Sequence, residues 1–345
     1  VSDSADIPVL ALGTSAGGIK TLTGVLGGLP DEPKAHVFVT MHQGTDGVGR
    51  LAEALQISTG RPCEVARAGP LPEPGRVVLA PPNQHLLLSD EGVHLSYGPT
   101  ENHSRPAIDP FFRSVGATFG RRVIGVVLSG MLDDGTAGLG AIKRCGGRTA
   151  AEDPETALFP SMPSNAIQRA GVDLVASAAD LGPRLTDLLR APLPDSVEIP
   201  RDVRLETDIM LRTANVPERL NELGTPAGVS CPDCGGPLWR IEDDTGHRFR
   251  CHIAHGLTTQ WLERRQNQAV EGLLLQALRL AEERVSMYER LSSPAGGRGT
   301  TGQNAVARHR EAREHAQGLR DLISSVCQNQ SPVINAAAVP TLSAG

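Results

Sequence analysis

The chain has 345 residues, enough for two or more domains, and a hydrophobic content of 39% excludes a disordered protein. Only 3% of residues are aromatic, against 38 Gly and 26 Pro, which points to a loop-rich protein packed with small side chains. The net charge of −6 and a pI near 5.9 argue against a general nucleic-acid binder, and no apolar run of about 18 residues is present to insert into a membrane.

Residues 1–6 are acidic and polar, unlike a signal peptide. Residues 7–12 form an apolar run that reads as a buried strand, and 18–27 read as a helix. Between them lies Gly13-Thr14-Ser15-Ala16-Gly17-Gly18, which fits the G-x-S-x-G nucleophile elbow in its required strand-to-helix setting. It does not fit the dinucleotide fingerprint G-x-G-x-x-G. On this stretch alone Ser15 is either a nucleophile or a residue that caps the helix or cradles a phosphate. Further strands are expected at 35–41, 75–80, 123–128 and 148–151, with helices at 48–58, 109–119 and 135–145. Residues 85–89 and 93–97, joined by Asp90-Glu91-Gly92, read as a hairpin. Strands alternating with helices predict an α/β fold, a doubly wound and mostly parallel sheet with ligands at the carboxyl ends of its strands.

A proline-rich linker follows at 191–200, then a helix over 203–222, a Cys/His unit over 229–256, and helical patterns over 257–291 and 303–327. The expected organisation is an α/β domain over 1–190, linker and helix over 191–228, a zinc-ribbon-like unit over 229–256, a helical hairpin or coiled coil over 257–328 that could self-associate or bind a regulator, and a disordered tail over 329–345.

A serine nucleophile needs a base, and the base needs an orienting acid. Of the ten histidines, His42 directly follows the second strand, so it emerges at the same sheet edge as Ser15. His36 lies at the opposite end of that strand, and His85, His94 and His103 lie on the hairpin or loops. The most apolar strand, 123–128, runs into Ser129-Gly130-Met131-Leu132-Asp133-Asp134-Gly135. Spacing does not choose between Asp133 and Asp134, and either could cap the next helix. The order Ser, His, Asp departs from the Ser, Asp, His of α/β-hydrolases. The Ala16 N–H, at the helix N-terminus, is the candidate oxyanion donor.

The six cysteines are too few and too scattered for a disulfide framework, which suits a reducing cytoplasm. Three of them cluster. Cys231-Pro232-Asp233-Cys234 is a C-x-x-C knuckle, Cys251 follows after sixteen residues, and His255 lies four beyond it. Three thiolates and an imidazole are a closed tetrahedral zinc set, with His247 and His252 as competing ligands. The redox reading of C-x-x-C lacks its βαβ setting.

Residues 7–190 resemble the catalytic domain of the chemotaxis protein-glutamate methylesterases, the CheB family. The resemblance rests on Gly13–Gly18, Met41-His42, Pro74-Gly75-Arg76-Val77 with Ala80-Pro81-Pro82, Arg105-Pro106-Ala107-Ile108-Asp109 with Phe112-Arg113-Ser114, Leu128 through Gly135 with Gly138-Leu139, and Ser161-Met162-Pro163. It implies Ser15 as nucleophile, His42 as base, Asp134 as orienter and Met131 as a second backbone oxyanion donor. The implied reaction is hydrolysis of glutamate γ-methyl esters on a methylated chemoreceptor, with glutamine deamidation as a companion, and needs no catalytic cofactor. A non-catalytic scaffold retaining the fold is the alternative. Arg105 and Asp109 match family loop positions that either shape the cleft or pair with each other. The family's receiver domain is not expected ahead of the first strand, and the loop from Thr40 to Thr45 matches the family only loosely.

Overall fold

The first strand, Val9–Thr14 (β1), is buried along its whole length, and its alternation sets the two layers of the fold. Val9 and Ala11 face one apolar layer, Leu10 and Leu12 the other. A strand buried on both faces needs helices on both sides. The computed structural model describes residues 7–31, 33–42, 50–211, 216–292 and 300–329.

In chain order, β1 leads into helix α1 (Gly18–Gly27), strand β2 (His36–Met41), helix α2 (Arg50–Thr59) and strands β3 (Cys63–Val65) and β4 (Val77–Leu79). A hairpin of β5 (His85–Ser89) and β6 (Gly92–Ser96) precedes helix α3 (Ile108–Phe119), strand β7 (Val123–Val127), helix α4 (Thr136–Arg144) and strand β8 (Arg148–Glu152). Helix α5 (Ser161–Arg169), strand β9 (Leu174–Ala176) and helix α6 (Ala178–Arg190) complete the layer structure. The sheet is seven-stranded, ordered β3-β4-β2-β1-β7-β8-β9, and every pairing in it is parallel. Strands added after β1 extend the sheet one way as far as β4, and the other way from β7 onward. The topological switch therefore falls at β1 and β7, where such sheets open a crevice.

Helices α1, α2 and α6 cover one face through Leu22, Leu26, Leu55 and Leu181. On the other face, α3 and α4 bury Ile108, Phe111, Phe112, Leu139 and Ile142. Each such side chain contributes about 1.5–3 kcal/mol by leaving water. Helix α3 lies in the interior: Pro110 sits in its first turn, where a missing N–H costs little, and Gly120 at φ +53° ends it.

Where one helix is expected over 203–222, the described residues form α7 (Arg201–Leu211) and α8 (Val216–Leu223), with 212–215 outside them. Strands β10 (Thr225–Ser230), β11 (Pro237–Asp243), β12 (Gly246–Cys251) and β13 (Gly256–Thr258) follow and form a four-stranded antiparallel sheet. Two helices follow it, α9 (Thr259–Ser292) and α10 (Thr300–Asn329). The chain divides into two units, Val1–Leu262 and Glu263–Gly345. The first thus continues past residue 190 and takes in α7, α8 and the Cys/His sheet. Within the second, Ala281 on α9 and Ala312 and Ala316 on α10 are buried, and Arg320 reaches Glu282 at 2.7 Å. Of the disordered tail expected over 329–345, Asn329 ends α10 and 330–345 lie outside the described residues.

Five buried charged residues bind the Cys/His sheet to the α/β layers. Arg250 on β12 donates to Glu101 at 2.9 Å and to Glu206 of α7 at 3.0 Å. Arg248 grips both oxygens of Glu206 at 2.7 Å and also meets Asp243, while Arg113 of α3 pairs with Glu101. Burial would raise the Glu206 carboxyl, but Arg113, Arg248 and Arg250 hold it well below the usual carboxylate range.

Candidate active site

Neighbouring strands β2, β1 and β7 deliver His42, Ser15 and the Ser129–Asp134 loop to one edge of the sheet. Parallel pairing in register makes this unavoidable: Thr14 stands beside Met41, and Gly13 beside Val127. The residue after each strand then emerges on the same rim.

The turn after β1 is narrow. Gly17 has φ +77° and is the N-cap of α1, with no side-chain cap bond. Ser15 therefore does not cap this helix. Its N–H donates to the Ser129 carbonyl at 3.0 Å, and the Ser129 hydroxyl donates to the Ala16 carbonyl at 2.9 Å, so the two loops are stitched together. Gly130 gives this packing its room: a Cβ there would sit 2.0 Å from Met162 Sδ, which would have to shift, and 3.0 Å from Ser15 Cβ.

Ser15 Oγ lies 3.0 Å from His42 Nδ1, and His42 Nε2 lies 2.6 Å from Asp134 Oδ2. With Asp134 ionised, Nε2–H donates to the carboxylate, and Nδ1 is left as the acceptor for the serine proton. Asp134 is fully buried. Besides His42 it accepts from the backbone N–H of Ile108 at 2.8 Å, of Asp109 at 3.2 Å and of Gly135 at 3.1 Å, and from Asn102 Nδ2 at 2.8 Å. Burial pushes this carboxyl up, but the His42 bond and charge and the other donors outweigh it and bring it down to about 2. The start of α3 is thus aimed at Asp134, with the N–H groups of its first turn satisfied by a carboxylate.

The pair that spacing left open divides cleanly. Asp134 meets His42, whereas Asp133 accepts from Thr258 Oγ1 at 2.8 Å and from Arg169 at 3.0 Å. Arg105 and Asp109 do not pair. Arg105 binds Asn83 and the carbonyls of Tyr97 and Gly98, and Asp109 binds Asn102 at 2.9 Å and the Gly138 N–H at 2.6 Å. Burial and the adjacent Asp134 push Asp109 well above the ordinary carboxylate range. Ala16 follows Ser15 on one of the two stitched loops, and Met131 lies on the other with its side chain exposed. His85 is buried between the Pro99 carbonyl and the Ala107 N–H, and desolvation brings its imidazole down to about 4.

The second cluster forms as spaced. Ligand atoms of Cys231, Cys234, Cys251 and His255 all lie within 4.8 Å of one another. Cys234 and Cys251 sulfurs are 3.7 Å apart, and His255 Nδ1 is 3.5 Å from Cys251 and 3.8 Å from Cys231. His247 faces Glu242 at 3.7 Å, and neither it nor His252 joins the group.

The model of the CheB methylesterase family matches residues 10–185. The chain belongs to the CheB methylesterase family. Among curated relatives, a protein-glutamate methylesterase/protein-glutamine glutaminase of Methanosarcina mazei is 33% identical over 190 residues, covering 53% of this chain and 52% of that protein. A counterpart from Burkholderia lata is 37% identical over 189 residues, covering 54% and 56%. The chain thus spans about half the length of the curated relatives it matches. The crystal structure of the Thermotoga maritima CheB methylesterase catalytic domain aligns with a TM-score of 0.50 at 30% identity, covering 53% of this chain and 98% of that domain. The seven-stranded sheet is therefore the CheB fold, and the Cys/His sheet lies beyond the matched region.

Two residues beside the Ser15–His42–Asp134 group carry little sequence signal. Asn102 bridges Asp109 and Asp134 with its amide nitrogen, and its oxygen accepts from the Thr258 N–H at 3.0 Å. Thr258 lies 156 residues away in sequence. Only a hint existed for Asn102: Asn tolerates the left-handed backbone it adopts, at φ +50°.

Proposed function

We propose that this chain hydrolyses glutamate γ-methyl esters on a chemoreceptor-like protein, with Ser15 as nucleophile, His42 as general base and Asp134 as orienter. The observation that carries this reading is the continuous relay from Ser15 Oγ through the His42 ring to Asp134, at 3.0 and 2.6 Å. Ser15 Oγ attacks the ester carbonyl as its proton passes to His42 Nδ1. The backbone N–H groups of Ala16 and Met131 take the oxyanion. Collapse of the intermediate expels methanol, which receives the proton from His42. Water then attacks the acyl-enzyme by the same route and releases the glutamate carboxylate. A glutamine side chain presents the same carbonyl with ammonia as leaving group, and the double name of the relatives supports deamidation as a companion reaction. The reaction is placed in the cytoplasm, as part of chemotaxis or related signalling.

The Cys231, Cys234, Cys251 and His255 set is read as a structural zinc site. Zinc–thiolate bonds of about 2.3 Å in a tetrahedron place sulfurs about 3.8 Å apart, and the Cys234–Cys251 separation of 3.7 Å supports the fit. Bound zinc would supply a cross-link between the knuckle and the turn joining β12 to β13. The exposed Leu273, Leu275 and Leu280 of α9 make this helix a candidate for self-association.

An active-site serine reagent tests the catalytic reading against a scaffold role. A fluorophosphonate probe is expected to label the full chain at Ser15 and to lose that label in His42→Ala. An unlabelled wild-type chain that is folded would favour the scaffold.

A further inference from the structure

The turn that carries two of the four proposed zinc ligands is also the turn that begins β13. Cys251 ends β12, and His255 immediately precedes Gly256, the first residue of β13. The turn closes on its own ligands: Cys251 N–H donates to the His255 carbonyl at 2.9 Å, and His255 N–H donates to Cys251 Sγ at 3.2 Å. Ala254, inside it, sits at φ +80°, a conformation that alanine rarely adopts and that the turn must impose.

From that turn the chain runs directly onto the support of the triad. Asn102 N–H donates to the Gly256 carbonyl at 2.8 Å, and Gly256 N–H donates to Thr100 at 3.3 Å. A Cβ on Gly256 would lie 2.6 Å from Glu101 Cγ, so β13 and the 100–102 loop touch without slack. Thr258 then bonds both loops, and its hydroxyl oxygen also accepts from the Trp261 N–H at 3.3 Å. The Thr258 N–H donates to Asn102 Oδ1 at 3.0 Å, and its hydroxyl donates to Asp133 Oδ1 at 2.8 Å. Asn102 spends its amide nitrogen on Asp109 and Asp134, so both ends of this buried side chain are committed. Arg250, next to Cys251, holds Glu101, next to Asn102, at 2.9 Å. Two adjacent, buried tracks therefore connect the ligand turn to the carboxylate of Asp134.

We propose that metal loading of the Cys231/Cys234/Cys251/His255 cluster sets the geometry of the Ser15–His42–Asp134 site, with Asn102 and Thr258 as the positioning residues between them. The proposal rests on the methylesterase and zinc readings above. Metal binding orders the segment that holds its ligands, and misplacing a catalytic group by about 1 Å costs on the order of 100-fold in rate. The Cys/His sheet would then act as a metal- and thiol-sensitive control on the esterase.

The test uses the full chain and the fluorophosphonate probe, with kinact and KI for Ser15 measured separately and zinc content measured on each sample. Stripping zinc with a chelator is expected to lower kinact by about tenfold or more, leave KI within about twofold, and raise hydrogen exchange over residues 99–109, with recovery on adding zinc back. Thr258→Val keeps the metal ligands and the backbone N–H bond to Asn102, and removes the hydroxyl that holds Asp133 and accepts from the Trp261 N–H. It is expected to retain zinc and lower kinact about threefold or more, while Thr258→Ser stays at the wild-type rate. This pair keeps the test decisive if the stripped chain unfolds. An unchanged kinact in zinc-free, folded protein, or a Thr258→Val rate equal to wild type, overturns the coupling, and so does a chain that binds no zinc. Normal labelling without methyl ester hydrolysis would reject the substrate reading while leaving the coupling supported by the same labelling rates.

Discussion

Replacing Asp134 by Asn changes one oxygen to an amide nitrogen in a site where every approaching group is a donor. Oδ2 faces His42 Nε2 at 2.6 Å and Ile108 N–H at 2.8 Å, and Oδ1 faces the donors of Asn102, Asp109 and Gly135. If the new NH2 points toward Asn102, three donors lose their acceptor. If it points toward His42, only His42 and Ile108 lose theirs, and this is the less costly arrangement. In that arrangement His42 must accept at Nε2, which places its proton on Nδ1, facing Ser15. The ring can then no longer take the serine proton. The expected loss in the rate of Ser15 acylation is about 10³–10⁴-fold, equivalent to about 4–5.5 kcal/mol. The assay is the second-order labelling rate of Ser15 by the fluorophosphonate probe, on protein shown to be folded by circular dichroism. A loss below about tenfold in folded protein would refute the relay and leave the 2.6 Å contact a structural bond only.

The remaining predictions follow from buried groups. His85 is held neutral in the fold, its imidazole brought down to about 4, so the folded chain binds fewer protons than the unfolded chain below the free-imidazole value of about 6.5. Its contribution is full above about pH 6.5 and is lost, by on the order of 3 kcal/mol, as pH falls toward 4; urea unfolding across that window should show the slope in wild type and a reduced one in His85→Gln, and equal slopes would contradict it. Glu206→Gln removes the buried carboxylate that Arg248 and Arg250 share, leaving them only the carboxylates of Asp243 and Glu101, and is expected to cost about 3–5 kcal/mol in urea unfolding, whereas a cost under about 1 kcal/mol would mean the cluster is dispensable. Metal analysis should find about one zinc per chain, lost on replacing Cys231 and Cys234 by Ser, and a zinc-free wild type purified without chelator would reject the metal site.

The sheet and its rim were legible because they rest on local signals. Near-continuous burial along residues 9–14 and 36–41 marks strands covered on both faces, and the residue that follows such a strand is fixed at the rim by parallel register. That logic is enough to bring Ser15, His42 and the Asp133–Asp134 pair together. Choosing between the two aspartates needs tertiary contacts, because Ile108 and Thr258 decide it from distant elements. Strand β3 went unread because three half-buried residues, Cys63–Val65, carry no period of their own. Residues 161–190 were not divided into α5, β9 and α6 for a similar reason: β9 is only three residues long, and its middle residue, Val175, is exposed. The Cys/His spacing marks the four residues that come together. It said nothing of where the sheet would dock, since that depends on Arg248 and Arg250 meeting Glu101 and Glu206.

The central claim is that Ser15 cleaves a glutamate methyl ester. The most direct measurement is methanol release from a γ-methyl-glutamate peptide of chemoreceptor sequence, comparing the full chain with Ser15→Ala. Steady release by wild type and background release by the folded variant are expected. Equal release by the two proteins, or none from wild type whose Ser15 reacts normally with the fluorophosphonate probe, would contradict that claim.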